Sequence, residues 1–255
     1  MGTNLSVVTP AEHIIWSADV ADEAALMAAL DTLPELRFIK IDRLFLTGIE
    51  LSVLDRLAER GLQVFIDAKI VEIPSKTEAI AKKYLARRPW MLNCMAGVVS
   101  NGVFQLAEGE TDRDKLDALK RFADACREVG TRPCAVTVLT SKSDDICDLE
   151  FGGTSKETVL QYIEWLLAAG FTDVVCSTAE VSTVRQFNDY DGLRLIVPGV
   201  RLAGTDTQDQ ARVGTPEAVL QAGNTRLVVG RPLTTGVPAD NWVIWHQAVS
   251  AALVA

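Results

Sequence analysis

Apolar positions along this chain fall into two alternating patterns. The first is a short, nearly continuous apolar and β-branched run, found at His13–Val20, Arg37–Ile41, Gln63–Ile70, Trp90–Ala96, Pro133–Thr140, Asp173–Ser177, Arg194–Val200 and Arg226–Arg231. Strands buried on both faces read this way, because neither face has to be polar. The second is the helical period. Asp22–Leu33 carries acids in its first turn, and Leu51–Arg60 stops at Gly61. Asp112–Val129 spaces Leu116, Leu119, Phe122, Ala123 and Cys126 along one stripe and stops at Gly130, and Ser155–Ala169 does the same with Val159, Leu160, Ile163 and Leu166 before Gly170. Thr215, Pro216 and Glu217 read as the N-cap, first residue and early acid of a helix that stops at Gly223, and Asp240–Leu253 is the last helix. Eight strands alternating with helices in about 250 residues predict an α/β fold of one kind, a (β/α)8 barrel, as a single domain over residues 1–255. The rival is a doubly wound open sheet, which usually opens with a glycine-rich phosphate turn. Here the first strand runs into Asp19, Val20, Ala21 and Asp22, with no glycine and no Walker A pattern anywhere.

Composition narrows the function classes. The chain has 255 residues, 48% of them hydrophobic, and a formal net charge of −9. An acidic surface argues against nucleic acid as a partner, since that needs basic groups to neutralise phosphates. It leaves room for an anionic small ligand in a locally cationic pocket. Met1–His13 has neither a basic nor an apolar leader region, and no run approaches the ~18 apolar residues of a membrane span, so the expectation is a cytoplasmic protein without membrane contact. Five scattered cysteines and two histidines, with no C-x-x-C pair, predict reduced thiols and no metal cage.

In a barrel the strand carboxyl ends carry the chemistry. In chain order those ends offer Asp19, Lys40, Asp67 with Lys69, Asn93, Ser141, Ser177, Pro198 with Gly199, and Gly230 with Arg231. Burying charge is costly unless it is paired, so Lys40, Asp67 and Lys69 need one another. Asp67 and Lys69, two apart on a strand, are expected on one face. Two readings stand: a reactive cluster, or an ion-pair network that only plugs the barrel mouth.

The run Asp67-Ala68-Lys69-Ile70-Val71-Glu72-Ile73-Pro74 resembles the D-x-K-x-x-D-I-P signature of the orotidine 5′-phosphate decarboxylase family. The resemblance extends over nearly the whole chain. It takes in Trp16–Val20, Phe38–Ile41, Val136–Ser141, Val174–Ser177, Pro198–Arg201 with the later Asp209–Arg212, and Val229–Pro232. It implies decarboxylation of orotidine 5′-phosphate to UMP with no cofactor. By the same resemblance, Lys69 stabilises and protonates the C6 carbanion while Asp67 lies beside the departing carboxylate and holds Lys69. Lys40 and Asp19 contact the ribose, Ser141 the pyrimidine, and Pro198, Gly230 and Arg231 belong to the phosphate site. The family's last signature acid enters the neighbouring subunit's site, which implies a homodimer with Glu72 in that role.

Five positions depart from the family's pattern. Glu72 stands for Asp, Lys76 for Thr, Met95 for His, Ala203 for the phosphate-loop Gln, and Asp42 for Gly. Met95 reads as core packing, and Lys76 as either a charge near the ribose or a solvated side chain. Glu72 and Ala203 keep a second function class open: a diverged relative acting on another nucleotide, a nucleoside or a sugar phosphate, some such relatives using a metal. A binding protein without activity has no need to keep Asp67, Lys69 and Arg231 together.

Overall fold

Eight strands, all parallel, close into a barrel in chain order, β1 pairing with β8. The computed structural model describes residues 9–42, 51–97, 116–204 and 213–254. The strands are β1 (Ile14–Ser17), β2 (Phe38–Asp42), β3 (Gln63–Ile70), β4 (Met91–Met95), β5 (Arg132–Val136), β6 (Asp173–Val175), β7 (Arg194–Val197) and β8 (Thr225–Val229). Each lies within or overlaps its sequence-predicted run, and β3 matches it at both ends. The expected helices are present, with Asp117–Glu128 standing for Asp112–Val129, whose first residues lie outside the described ones.

Among the described residues, a four-residue helix at Arg231–Thr234 is also present, with three longer ones: Pro74–Leu85, Asp144–Phe151 and Thr178–Val184. The Pro74–Leu85 helix fully buries Thr77, Ala81 and Leu85, with Ile80 and Tyr84 packed partly buried against the core, a stripe that mixes polar and small residues with the apolar ones. The other two announce themselves by caps instead. The Ser143 hydroxyl accepts from the Ile146 amide, and Ser177 forms a capping box with Glu180. Ser177 is therefore a helix start rather than the last strand residue. β5 stops at Val136, earlier than expected. Thr137 still donates its amide to the Val175 carbonyl, and the chain then turns, the Lys142 amide donating to the Leu139 carbonyl at 3.0 Å.

Most of the core lies between the strands' outer faces and the helices. A smaller cluster, with Phe38, Phe65, Met91 and Ile196 among it, fills the barrel interior. At the strands' amino ends the Arg226 guanidinium lies over the rings of Phe38 and Trp90, 3.8 and 5.0 Å from their centroids. Beside it, Arg132 and Arg194 flank the fully buried Asp173 at 2.7 and 3.6 Å. Charge at this end is thus fixed into ion pairs and ring stacking. The open end of the barrel is the other one. The five cysteines are buried thiols. No helix among the described residues is long and apolar enough to cross a membrane.

Candidate active site

The carboxyl ends of the strands enclose a cavity of about 250 Å³. Asp19, Lys40, Asp67 and Lys69 line it from the β1–β3 side, and Pro198, Gly230 and Arg231 from the β7–β8 side. Val136, Val175 and Val228 with Phe65 supply apolar surface between them. Among the described residues, four cationic side chains (Lys40, Lys69, Arg201 and Arg231) and two carboxylates (Asp19 and Asp67) line this space, so these lining residues carry a positive balance inside a chain of net charge −9. Such a surplus concentrates anionic ligands.

Asp67 is the hub. One carboxylate oxygen accepts from Lys40 Nζ at 2.8 Å, and the other accepts from Lys69 Nζ at 2.6 Å and from Asn93 Nδ2 at 2.7 Å. Burial alone would raise the Asp67 pKa, but the charges and hydrogen bonds of Lys40 and Lys69 outweigh it and hold the carboxyl well below the usual carboxylate range. The acid is therefore ionised at any ordinary pH. Exposure falls off steeply across the cluster: the Lys69 side chain is 39% exposed, those of Lys40 and Asp67 13% and 9%. Lys69 is the most exposed of the three.

The backbone that presents it is irregular. β3 and β4 are in register at Ile66↔Leu92 and again at Ile70↔Cys94, so β3 carries extra residues between those points. Within that bulge Lys69 has a φ of +44°. For a residue with a Cβ this costs on the order of 1–3 kcal/mol, and such positions cluster at functional sites. Asp67 and Lys69 do meet, as the sequence suggests. They meet across a bulge rather than by simple strand alternation.

Two expected site residues lie off the wall. Ser141 is exposed in the turn that follows β5, and the β5 side of the cavity is formed instead by Val138, Leu139 and Thr140. The early end of β5 is the reason: the chain has already turned by Ser141. Glu72 is also exposed and away from its own cavity, as is Lys76, with Val71 and Ile73 beside Glu72 at 62% and 59% exposed. Met95 packs against the outer core. Ala203 is exposed and off the wall, while Arg201, two residues earlier, is buried on it and donates to the Val200 carbonyl at 2.9 Å. Gln208 and Asp209–Arg212 lie outside the described residues.

Ser17 and Thr140 are parts of this site that sequence reasoning did not single out, while Asn93 was read only as a strand-end residue with no role and Arg201 only as part of the matched Pro198–Arg201 run. Asn93 left a signal, as the one strongly polar side chain in the otherwise apolar β4.

A family model described as "Orotidine 5'-phosphate decarboxylase / HUMPS family" matches residues 12–237. Among curated proteins, the orotidine 5′-phosphate decarboxylase of Haemophilus influenzae (strain PittEE) is 32% identical over 230 residues, covering 89% of this chain and 93% of that protein. That of Pseudomonas aeruginosa (strain LESB58) is 31% identical over 232 residues, covering 87% and 90%. The barrel superposes on the crystal structure of orotidine 5′-phosphate decarboxylase from Lactobacillus acidophilus with a TM-score of 0.73 at 23% identity, covering 95% of this chain and 99% of that one. For the Methanocaldococcus jannaschii orotidine 5′-monophosphate decarboxylase, complexed with inhibitor BMP, the values are 0.71 and 16%, covering 93% and 98%. At those identities the structural likeness speaks for the fold, while the family match and the closer sequence relatives cover most of the chain: this protein belongs to the orotidine 5′-phosphate decarboxylase / HUMPS family.

Proposed function

We propose that this chain, a single barrel domain, decarboxylates orotidine 5′-phosphate to UMP, with no metal or organic cofactor. The observation that carries the proposal is the Lys69 ammonium, lining a cavity whose described residues carry a positive balance and held at 2.6 Å by an acid that stays ionised. Arg231 and the Gly230 backbone take the phosphate, for which a guanidinium fork is well suited. Asp19 and Lys40 face the ribose. Thr140, on the wall where Ser141 is not, takes the pyrimidine contact. With the ring so placed, the C6–carboxylate bond breaks, CO₂ leaves, and the electron pair stays on C6. The fixed ammonium stabilises that charge as it develops, and its proton then forms the C6–H bond. Asp67 beside the departing carboxylate adds repulsion that exists only before CO₂ is lost.

The protein acts as a homodimer in this proposal, with Glu72 reaching its partner's cavity. Its exposure, between exposed Val71 and Ile73 and off its own cavity wall, supports that reading.

The test is to mix the protein with orotidine 5′-phosphate and follow the loss of orotate absorbance, with and without EDTA. Turnover unaffected by EDTA, abolished by Lys69→Ala while a UMP-like ligand still binds, is the expected result. No turnover, or turnover that EDTA removes and Mg²⁺ restores, overturns it.

A further inference from the structure

We infer that Asn93 is the positioning residue of this site: it touches no ligand, and it sets both the backbone of Lys69 and the carboxylate of Asp67 from one fully buried amide. The inference rests on the proposed role of Lys69.

Three contacts close a ring. Asn93 Oδ1 accepts the backbone N–H of Lys69 at 2.7 Å, Asn93 Nδ2 donates to the Asp67 carboxylate at 2.7 Å, and Lys69 Nζ donates to that same oxygen at 2.6 Å. The two partners also fix which way the amide points. A backbone N–H can meet only the carbonyl oxygen, and a carboxylate ionised by its two lysines can meet only the NH₂. Asn93 is fully buried and is not on the cavity wall. Its backbone sits opposite Cys134 of β5 in an ordinary parallel pairing, so the side chain is anchored by a regular strand.

The bulge explains why such a residue is needed. Between Ile66 and Ile70 the β3–β4 register breaks, and a bulged residue loses its ladder partner. The Asn93 side chain replaces that partner for the Lys69 amide and so holds the strained φ of +44°. Its other end prevents Asp67 from rotating with the lysine. A side chain without the amide leaves both groups unanchored. Reaction geometry is sensitive at this scale: a misplacement of about 1 Å costs on the order of 100-fold in rate.

The experiment compares wild type, Asn93→Ala and Asn93→Asp as intact protein. For Asn93→Ala, kcat for orotidine 5′-phosphate is expected to fall about 100-fold, with affinity for UMP changed less than about three-fold, since no ligand contact is removed. A second readout needs no turnover: acetylation of the Lys69 amine, followed by mass spectrometry against exposed Lys156 in the same sample. Lys69 should be labelled several-fold faster in Asn93→Ala, because its hold on Asp67 is loosened; a packing defect elsewhere does not change that ratio. Asn93→Asp keeps the acceptor for the Lys69 amide but sets a carboxyl against Asp67. It can donate there only when protonated, so its activity relative to wild type should rise toward acid pH. If Asn93→Ala does not fold, that profile decides. Unchanged kcat and unchanged Lys69 labelling in Asn93→Ala, or a pH-independent activity ratio for Asn93→Asp, overturns the inference. A wild type that does not consume orotidine 5′-phosphate overturns the proposed function instead, and the labelling ratio then settles Asn93 by itself.

Discussion

Replacing Asp67 by Asn removes one negative charge from the point where three donors converge and changes almost nothing in shape. Lys40 and Lys69 lose their counter-ion, while the Asn93 contact survives on the new amide's carbonyl. At an effective dielectric of about 20, each ion contact is worth roughly 4 kcal/mol at 4 Å separation, and the desolvation of the buried groups offsets much of it. Removing one partner of a buried pair costs about 3–5 kcal/mol, because the remaining charge is left buried. The Lys69 side chain, at 39% exposure, regains water and contributes little. Lys40, at 13%, does not. The lower end of the range, about 3 kcal/mol, is therefore the expectation, or a fall in Tm of roughly 6–12 °C for a chain of this size. The pH dependence has a definite sign. The folded-state pKa of Asp67 is depressed, so its stabilisation is complete above the unfolded value of about 4 and is lost as pH falls toward the folded one. Thermal unfolding of wild type and Asp67→Asn should show a constant gap between pH 5 and 8, narrowing below about pH 4. A gap under about 2 °C at pH 7, or one that widens on acidification, refutes the reasoning.

Other consequences are testable on the same protein. Arg231→Ala should weaken a UMP-like ligand by about 1.5–3 kcal/mol, the worth of a charge-assisted contact, and leave the matching nucleoside unaffected in a titration. Ala203→Gln should tighten the phosphate ligand by about 1 kcal/mol, roughly five-fold, if the loop bearing Ala203 closes over the phosphate; a weakened native activity speaks against that closure. Gly230→Ala places a Cβ 3.1 Å from the Asp19 carboxylate, a flexible and exposed neighbour. Tm should move little while KM rises several-fold, and an unchanged KM removes Asp19 and Gly230 from the substrate path. Finally, mixing inactive Lys69→Ala with inactive Glu72→Ala under subunit exchange should restore about a quarter of wild-type activity. Half the dimers are then hybrids with one intact shared site each, and a mixture that stays inactive argues against a shared site.

The barrel was legible in the chain because strands buried on both faces leave continuous apolar runs and caps leave local polar signals. β3 could be read at both ends for that reason, and the helix at Pro216–Leu220 from its own first three letters. So could the identity of the charged groups, since Asp19, Lys40, Asp67, Lys69 and Arg231 sit at strand ends, where a barrel collects them. The Pro74–Leu85 helix was not read, because its core-facing stripe interleaves Thr77 and Ala81 with Ile80, Tyr84 and Leu85. Nor was the early end of β5, which moves Ser141 off the wall and brings Thr140 onto it. Only the folded chain decides which charges touch. Asn93 lies 26 residues from Asp67 and 24 from Lys69, yet one amide holds both. Strand periodicity is a local property and assumes regular pairing. The bulge that aims Lys69 arises from a mismatch in register between two strands, which neither strand's sequence contains alone.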